Sequence, residues 1–271
     1  MLIWLPPSES KLAPDRGPFL DLDSLSFPGL RAPRARLIEA LTELGGGPRA
    51  AEVLGLGPAS AASARANEAL LTSACAPASA LFTGVLFDAL DFASLTDQEQ
   101  SRLRRCTLVF SGLFGVAALD DALPDHRLAM GVRLPGIGGL AAFWRSALDG
   151  ELRGRGEGEI VVDARSGPYA AACPAPWAHI IRIQAVRERA GARASVSHDA
   201  KRWRGLVVRA LAGLDPKAGA DEVLGAVSRM AGRVAFTDAK GVPHAIRAVE
   251  IGDPRPASQG GSSRELVLVT D

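Results

Sequence analysis

What most constrains this chain is the way strand-like and helix-like segments interleave. Runs of β-branched and aromatic residues between turn signals mark strands at 2–5, 107–110, 160–163, 180–186, 194–197, 245–251 and 266–270. A helical apolar period marks helices at 33–44, 59–72, 82–90, 97–104, 140–148, 199–212 and 217–226. The two kinds do not alternate strictly. The expected class is therefore α+β, a mixed β-sheet flanked by helices, rather than a doubly wound parallel sheet. Segments 44–58, 149–158 and 252–263 are rich in Gly, Pro and Ser and read as loops. A strand-like stretch follows the last of them, so residues 1–271 are expected to form a single compact domain, with 47% hydrophobic residues to fill its core.

Charge limits what such a domain can bind. The chain has 31 basic and 30 acidic residues, so it is no general polycation, and any affinity for nucleic acid must come from local clustering. All but Lys11, Lys201, Lys217 and Lys240 of the basic residues are arginines, the bias of a GC-rich genome, which makes the lysines the more telling cations. Cys75, Cys106 and Cys173 are odd in number and widely separated, which argues against a disulfide framework and a zinc site and fits a reducing cytoplasm. Residues 1–5 carry no basic flank and stop at Pro6-Pro7, so they read as a buried strand rather than a signal peptide. The longest apolar run, 108–119, is broken by Ser111, Gly112 and Gly115 and is shorter than the ~20 residues of a membrane helix. No membrane partner is expected.

Two segments suggest contact with phosphates. The first, 133–144, holds Arg133, then Leu134-Pro135-Gly136-Ile137-Gly138-Gly139, then a helix. This is the written form of a helix-hairpin-helix element, whose glycines let the backbone approach a phosphate and whose helix start offers N–H donors. Gly131 and its neighbours read more like a strand than the required first helix, so the element is non-standard, and an ordinary Gly-rich turn would have the same letters. The second, 201–209, contains Lys201, Arg202, Arg204 and Arg209 around Trp203. From 182 to 209 eight basic residues face only Glu188 and Asp199. Lys201 and Arg204 lie three apart on a helix, with an aromatic between them. The plainer alternative is a solvated helix face whose Trp203 packs into the core.

Other polar residues follow strands, where ligands often bind. Ser8, Glu9, Ser10 and Lys11 come after the first strand, and Ser111-Gly112-Leu113-Phe114-Gly115 after the second. His126, His179, His198 and His244 form no metal-binding spacing, and no P-loop, dinucleotide fingerprint or nucleophile elbow is present, so neither a metal nor a cofactor is expected.

Taken in order, these motifs resemble the YaaA family of peroxide stress proteins. The resemblance rests on Leu5-Pro6-Pro7-Ser8-Glu9-Ser10-Lys11, on Ser111–Gly115 and on Arg127-Leu128 with Met130-Gly131-Val132-Arg133-Leu134. It extends to Phe143-Trp144, Gly167-Pro168-Tyr169 and Ala200-Lys201 with Arg204-Gly205-Leu206, and so covers about the first 210 residues. It implies an α+β domain of unusual fold with a basic cleft, DNA binding through a non-standard helix-hairpin-helix, and a part in limiting oxidative damage. His126 and Ala129 stand where the family commonly has Tyr and Glu, which puts a family-wide acid–base activity in doubt.

Two functional readings follow. In the first the protein binds DNA without sequence preference, through Arg133, Gly136, Gly138, Gly139, Lys201, Arg202, Arg204 and Arg209. In the second it is an enzyme acting on a nucleobase, a nucleotide or damaged DNA, with a pocket around Ser8, Lys11, Ser111, Arg127 and Lys201, and with Asp149 or Asp163 as possible acids. A closed pocket gathering those residues would favour the enzyme; an open basic groove would favour binding.

Overall fold

The computed structural model describes residues 1–189, 192–195, 199–237 and 241–271, without the side chains of Ser195 and Val234. The chain opens with β1 (Leu2–Leu5) and continues through α1 (Arg31–Leu44), α2 (Pro48–Val53), β2 (Cys75–Pro77), α3 (Ala78–Leu81), α4 (Val85–Leu90) and α5 (Asp97–Cys106). Then come β3 (Thr107–Ser111), β4 (Gly115–Ala118), β5 (Ala122–Pro124), β6 (Arg133–Leu134), β7 (Gly138–Gly139) and α6 (Leu140–Gly156). β8 (Ile160–Asp163), α7 (Gly167–Ala172), β9 (His179–Arg189), β10 (Ala192–Ser195), α8 (Asp199–Leu211) and α9 (Ala220–Ser228) follow. The chain closes with β11 (Val234–Thr237), β12 (Pro243–Ile251), β13 (Arg255–Pro256) and β14 (Ser262–Thr270).

The main sheet runs β11-β12-β14-β9-β8-β1-β3-β4. β14, β9, β8, β1 and β3 are parallel neighbours, while β4, β12 and β11 run antiparallel at the two sides. The fold is thus α+β with a mixed sheet and flanking helices. β1 and β3 are buried at every position, because strands covered on both faces have no solvent side to pattern. One hydrophobic cluster extends from Met1 to Leu268.

The order of the strands creates a crevice. Chain leaving β1 joins its neighbour β3 on one side, and chain leaving β8 joins β9 on the other. Loops from adjacent strands thus diverge at the carboxyl ends of β1 and β8, the arrangement in which open α/β sheets hold ligands.

Several local expectations are corrected. The segment 149–158 is not a loop: α6 runs on to Gly156, because Leu148, Leu152 and Gly156 recur on its buried face and Arg153 pairs with Asp149 one turn back, 3.0 Å away. The helix at 59–72 is a 3-10 segment, Ala61–Ala69. The stretch before the Gly-rich hairpin, expected as strand rather than as a first helix, is irregular over 125–132, and 133–139 form a two-rung β-ladder that leads directly into α6. Gly136 and Gly138 turn the ladder with φ of 70° and 91°. Of the expected strand 194–197, residues 196 and 197 lie outside the described residues, as does His198.

Arg34 shows how polar groups enter this core. It is fully buried on α1 and donates to the carbonyls of Ser26, Phe114 and Val116 at 2.8–3.0 Å, tying the helix to the β3–β4 turn.

Candidate functional site

The loop after β1 is held by main-chain contacts. Lys11 bridges to Phe82, Leu12 N–H donates to the Leu81 carbonyl at 2.9 Å, and Thr83 N–H donates to the Ser10 carbonyl at 3.1 Å. Gly84, with φ of 88°, lies so close that a Cβ there would be 3.0 Å from Ser8 Oγ. This frame folds the Lys11 side chain back over its own loop. Its amine donates to the Ser8 carbonyl at 3.0 Å and sits 5.5 Å from the centre of the Phe82 ring. Burial, reinforced by the positive charge of Arg127 and opposed by Asp125 and Glu9, pulls its pKa down to about 8.

Arg127 is placed by a buried amide. Asn67 Oδ1 accepts from Arg127 N–H and Asn67 Nδ2 donates to the Arg127 carbonyl, both at 2.8 Å, so one side chain clamps the irregular segment from both sides. The guanidinium of Arg127 makes no hydrogen bond or ion pair among the described residues, and its Nε is buried, as is the unpartnered Oδ1 of Asp125. Unpaired polar atoms in such positions are costly, each about 1–3 kcal/mol, unless something else satisfies them.

His126 lies beneath this surface. Its Nδ1 is 2.9 Å from the Pro124 carbonyl and its Nε2 3.4 Å from Ser111 Oγ, with the rings of Phe82 and Phe114 set edge-on. Burial first, and the charge of Lys11 second, drive its pKa well below the usual histidine range. The ring is therefore neutral, with its proton on Nδ1 and Nε2 accepting from Ser111. Ser111 is buried and also accepts from the N–H groups of Leu113 and Phe114, so it braces the end of β3.

On the β8 side, Asp163 ends the strand and pairs with Arg165. α8 crosses nearby, packed on α4 so tightly that a Cβ on Gly205 would lie 2.2 Å from the Leu86 carbonyl. That contact and the buried Trp203 set the rotation of the helix. Arg204 then turns inward, within electrostatic reach of Asp163. Burial lowers its pKa against that attraction, and its guanidinium has no hydrogen bond or ion pair among the described residues.

The rest of the expected basic helix is divided. Lys201 is exposed, Arg202 stacks 4.5 Å from the Phe236 ring centre, and Arg209 donates to the carbonyls of Leu90 and Asp91 at 2.8 and 3.0 Å, capping α4. In the hairpin, Arg133 is exposed, and the Gly136 carbonyl accepts from Arg36 at 3.3 Å. Gly139 is the N-cap of α6 with no side-chain cap. No hydrogen bond or ion pair among the described residues joins the hairpin to α8. The structure thus brings Ser8, Lys11 and Arg127 together, puts Ser111 just beneath them, and leaves Lys201 on the surface. Asn67, Asp125 and Arg165 were not singled out in the sequence; Asp125 flanks the His126-Arg127 pair, and Asn67 carries no sequence signal.

Tyr169 closes the region from α7. Its hydroxyl accepts from Met130 N–H at 3.4 Å, and burial raises its pKa to about 12. Among the described residues no group of three or more His, Cys, Asp or Glu is placed to hold a metal. Asp149, one of the acids considered, accepts from Trp177 at 2.7 Å and from Arg153 at 3.0 Å on α6. A shallow groove of about 560 Å³ lies elsewhere, among Arg182, Asp253, Arg255 and Arg264, and none of the residues around Lys11 line it.

Comparison with known proteins gives this geometry a context. The model of the family described as peroxide stress protein YaaA matches residues 1–221. A UPF0246 protein of Streptomyces coelicolor is 43% identical over 214 residues, covering 78% of this chain and 82% of the relative. One of Corynebacterium efficiens is 38% identical over 216 residues, covering 78% and 85%. Another, of Corynebacterium glutamicum, is 35% identical over 238 residues, covering 86% and 94%.

Proposed function

The chain belongs to the family of peroxide stress protein YaaA, and on that premise we propose that it binds the phosphates of nucleic acid in the cytoplasm, at the crevice where β1 and β8 diverge. One observation carries the reading: the half-buried Arg127 guanidinium and the Lys11 amine lie within electrostatic reach of each other on the β1 side, and a second half-buried guanidinium, Arg204, lies on the β8 side near Asp163, none of the three with an ion-pair partner among the described residues. Buried cations are normally paired, and a phosphate oxygen is the acceptor such donors would take. Lys201 supplies charge at the rim, and Arg133 with the N–H groups of Gly138, Gly139 and the start of α6 can hold a second phosphate. Contacts of this type grip the backbone and carry no base specificity. Arg202 and Arg209 are engaged with Phe236 and with α4, so they contribute less than their place in the sequence suggests.

The test is titration of a fluorescent duplex and of a single strand over a range of salt. Each lost phosphate contact should flatten the log–log slope by about 0.9 on duplex DNA. Arg204→Met and Lys201→Glu are expected to weaken binding and flatten the slope; unchanged affinity in the double variant would overturn the reading.

A second reading, an enzyme acting on a nucleotide or on damaged DNA, is favoured by one specific feature. The amine of Lys11 is held in a partly desolvated site beside Arg127, an environment that activates amines.

A further inference from the structure

Lys11 makes no ion pair among the described residues, and its amine is held over the loop after β1 by a main-chain bridge to Phe82 and a bond to the Ser8 carbonyl, beside Arg127. Beside it are two groups with buried polar atoms that have no partner, Asp125 through Oδ1 and Arg127 through Nε. An amine next to open phosphate donors suits a ligand that carries both an electrophilic carbon and a phosphate. We propose that Lys11 is a nucleophile that forms an imine with the aldehyde of a phosphorylated sugar, whose phosphate is held by Arg127. The proposal rests on the phosphate-binding reading of the same crevice and goes beyond it by naming a covalent step and a substrate class.

The chemistry needs only the sugar. The nitrogen lone pair adds to the carbonyl carbon, forming a C–N bond; the oxygen then leaves with both amine hydrogens as water, and the C=N bond results. No oxidant or reductant is consumed. Burial beside a like charge assists by keeping a larger share of the amine neutral. The His126 ring beneath the crevice is held toward its neutral form by burial and by the charge of Lys11, so it offers the ammonium no partner. The carboxylates that do favour that form are Asp125 and Glu9, and both count for less than burial and Arg127.

Two sources offer this chemistry: a free aldose phosphate, and an abasic nucleotide within DNA, whose open-chain deoxyribose is an aldehyde flanked by phosphates. Borohydride trapping separates them. The full chain is incubated with cyanoborohydride and ribose 5-phosphate, a duplex with one abasic site, or the intact duplex, and the adduct is mapped by peptide mass spectrometry. The chain's four lysines make the map simple. The expected result is an adduct on Lys11 about tenfold above that on the exposed Lys201 or Lys217, with one or both aldehyde probes and not with intact duplex. The better probe identifies the source. Lys11→Arg keeps the charge and should abolish trapping. Equal labelling of all lysines, trapping that survives in Lys11→Arg, or no adduct while the duplex still binds would overturn the imine and leave the phosphate reading standing. Absence of both binding and adduct would overturn the two together.

Discussion

Arg165 gives Asp163 both arms of its guanidinium, Nε to Oδ1 at 2.8 Å and Nη2 to Oδ2 at 3.0 Å, in a pair almost wholly shielded from solvent at the end of β8. The same guanidinium lies against the rings of both Trp4 and Phe110, 4.4 and 4.3 Å from their centres, and its hydrogens also reach the carbonyls of Tyr169 and Cys173. This pair ties the loop after β8 to α7 and so shapes the floor of the crevice.

Breaking that pair should cost more than replacing it. Asp163→Asn leaves a buried guanidinium uncompensated and is expected to lose about 3–5 kcal/mol, whereas Asp163→Leu with Arg165→Met should recover much of the loss. Burial alone would raise the Asp163 carboxyl, but the Arg165 charge and hydrogen bonds outweigh it and hold it below the usual range. A depressed carboxylate stabilises fully above its unfolded pKa and loses that contribution as pH falls through the folded value. Urea unfolding in acid should therefore be less pH-dependent in Asp163→Asn than in the wild type.

Gly205 and Gly154 offer opposite outcomes for one substitution. Alanine at Gly205 would meet the Leu86 carbonyl at 2.2 Å and the Ala89 Cβ at 2.9 Å, so α8 must move from α4 and carry Arg204 with it. A loss of about 2–4 kcal/mol and weaker nucleic-acid binding are expected, despite the helix propensity gained. Nothing lies near Gly154 on α6, where alanine should stabilise by about 0.5–1 kcal/mol. Thermal and urea unfolding of the two variants check this.

Lys11 should make alkaline pH stabilising. Its folded pKa, about 8, lies below the ordinary 10.5, so the folded state gives up its proton first. Below pH 8 the cost of burying the charge is fully present, and between about 8 and 10.5 it is relieved, so stability from this group rises with pH. Lys11→Met should be more stable at pH 7, by at most about 3 kcal/mol, and should lack that rise. Phosphate affinity of the wild type should fall over the same interval as the amine loses its charge.

The cysteines are not expected to sense peroxide directly. Burial raises Cys75 and Cys173 to about 11 and lifts Cys106 as well, and peroxide attacks the thiolate. Native protein treated with peroxide and a sulfenate-trapping probe should show little label, with labelling appearing on unfolding. Strong native labelling of any of the three would contradict this.

Much of the frame could be read directly from the chain. β1, β3 and β8 were visible as short apolar runs, and α1, α5 and α8 as amphipathic periods, because strand and helix each impose a local repeat on side chains that must be buried. The extension of α6 through Gly150 and Gly154 was hidden by residues that punctuate most helices yet here face open space. The two-residue ladder β6–β7 was hidden because a Gly-rich turn has the same letters whether or not a helix precedes it.

By itself the sequence determined the sheet's central strands, the helices beside them, the family motifs and the position of Lys11 after β1, all properties of a few neighbouring residues. Only the tertiary structure decided which cations are available. Arg202, Arg204 and Arg209 belong to one helix, but Phe236 takes the first, the carbonyls of Leu90 and Asp91 take the last, and the contact of Gly205 with Leu86 turns Arg204 inward. Arg127 depends on Asn67, sixty residues earlier. Such partners are distant in sequence, and burial and electrostatics depend on distance in space, which no local pattern records.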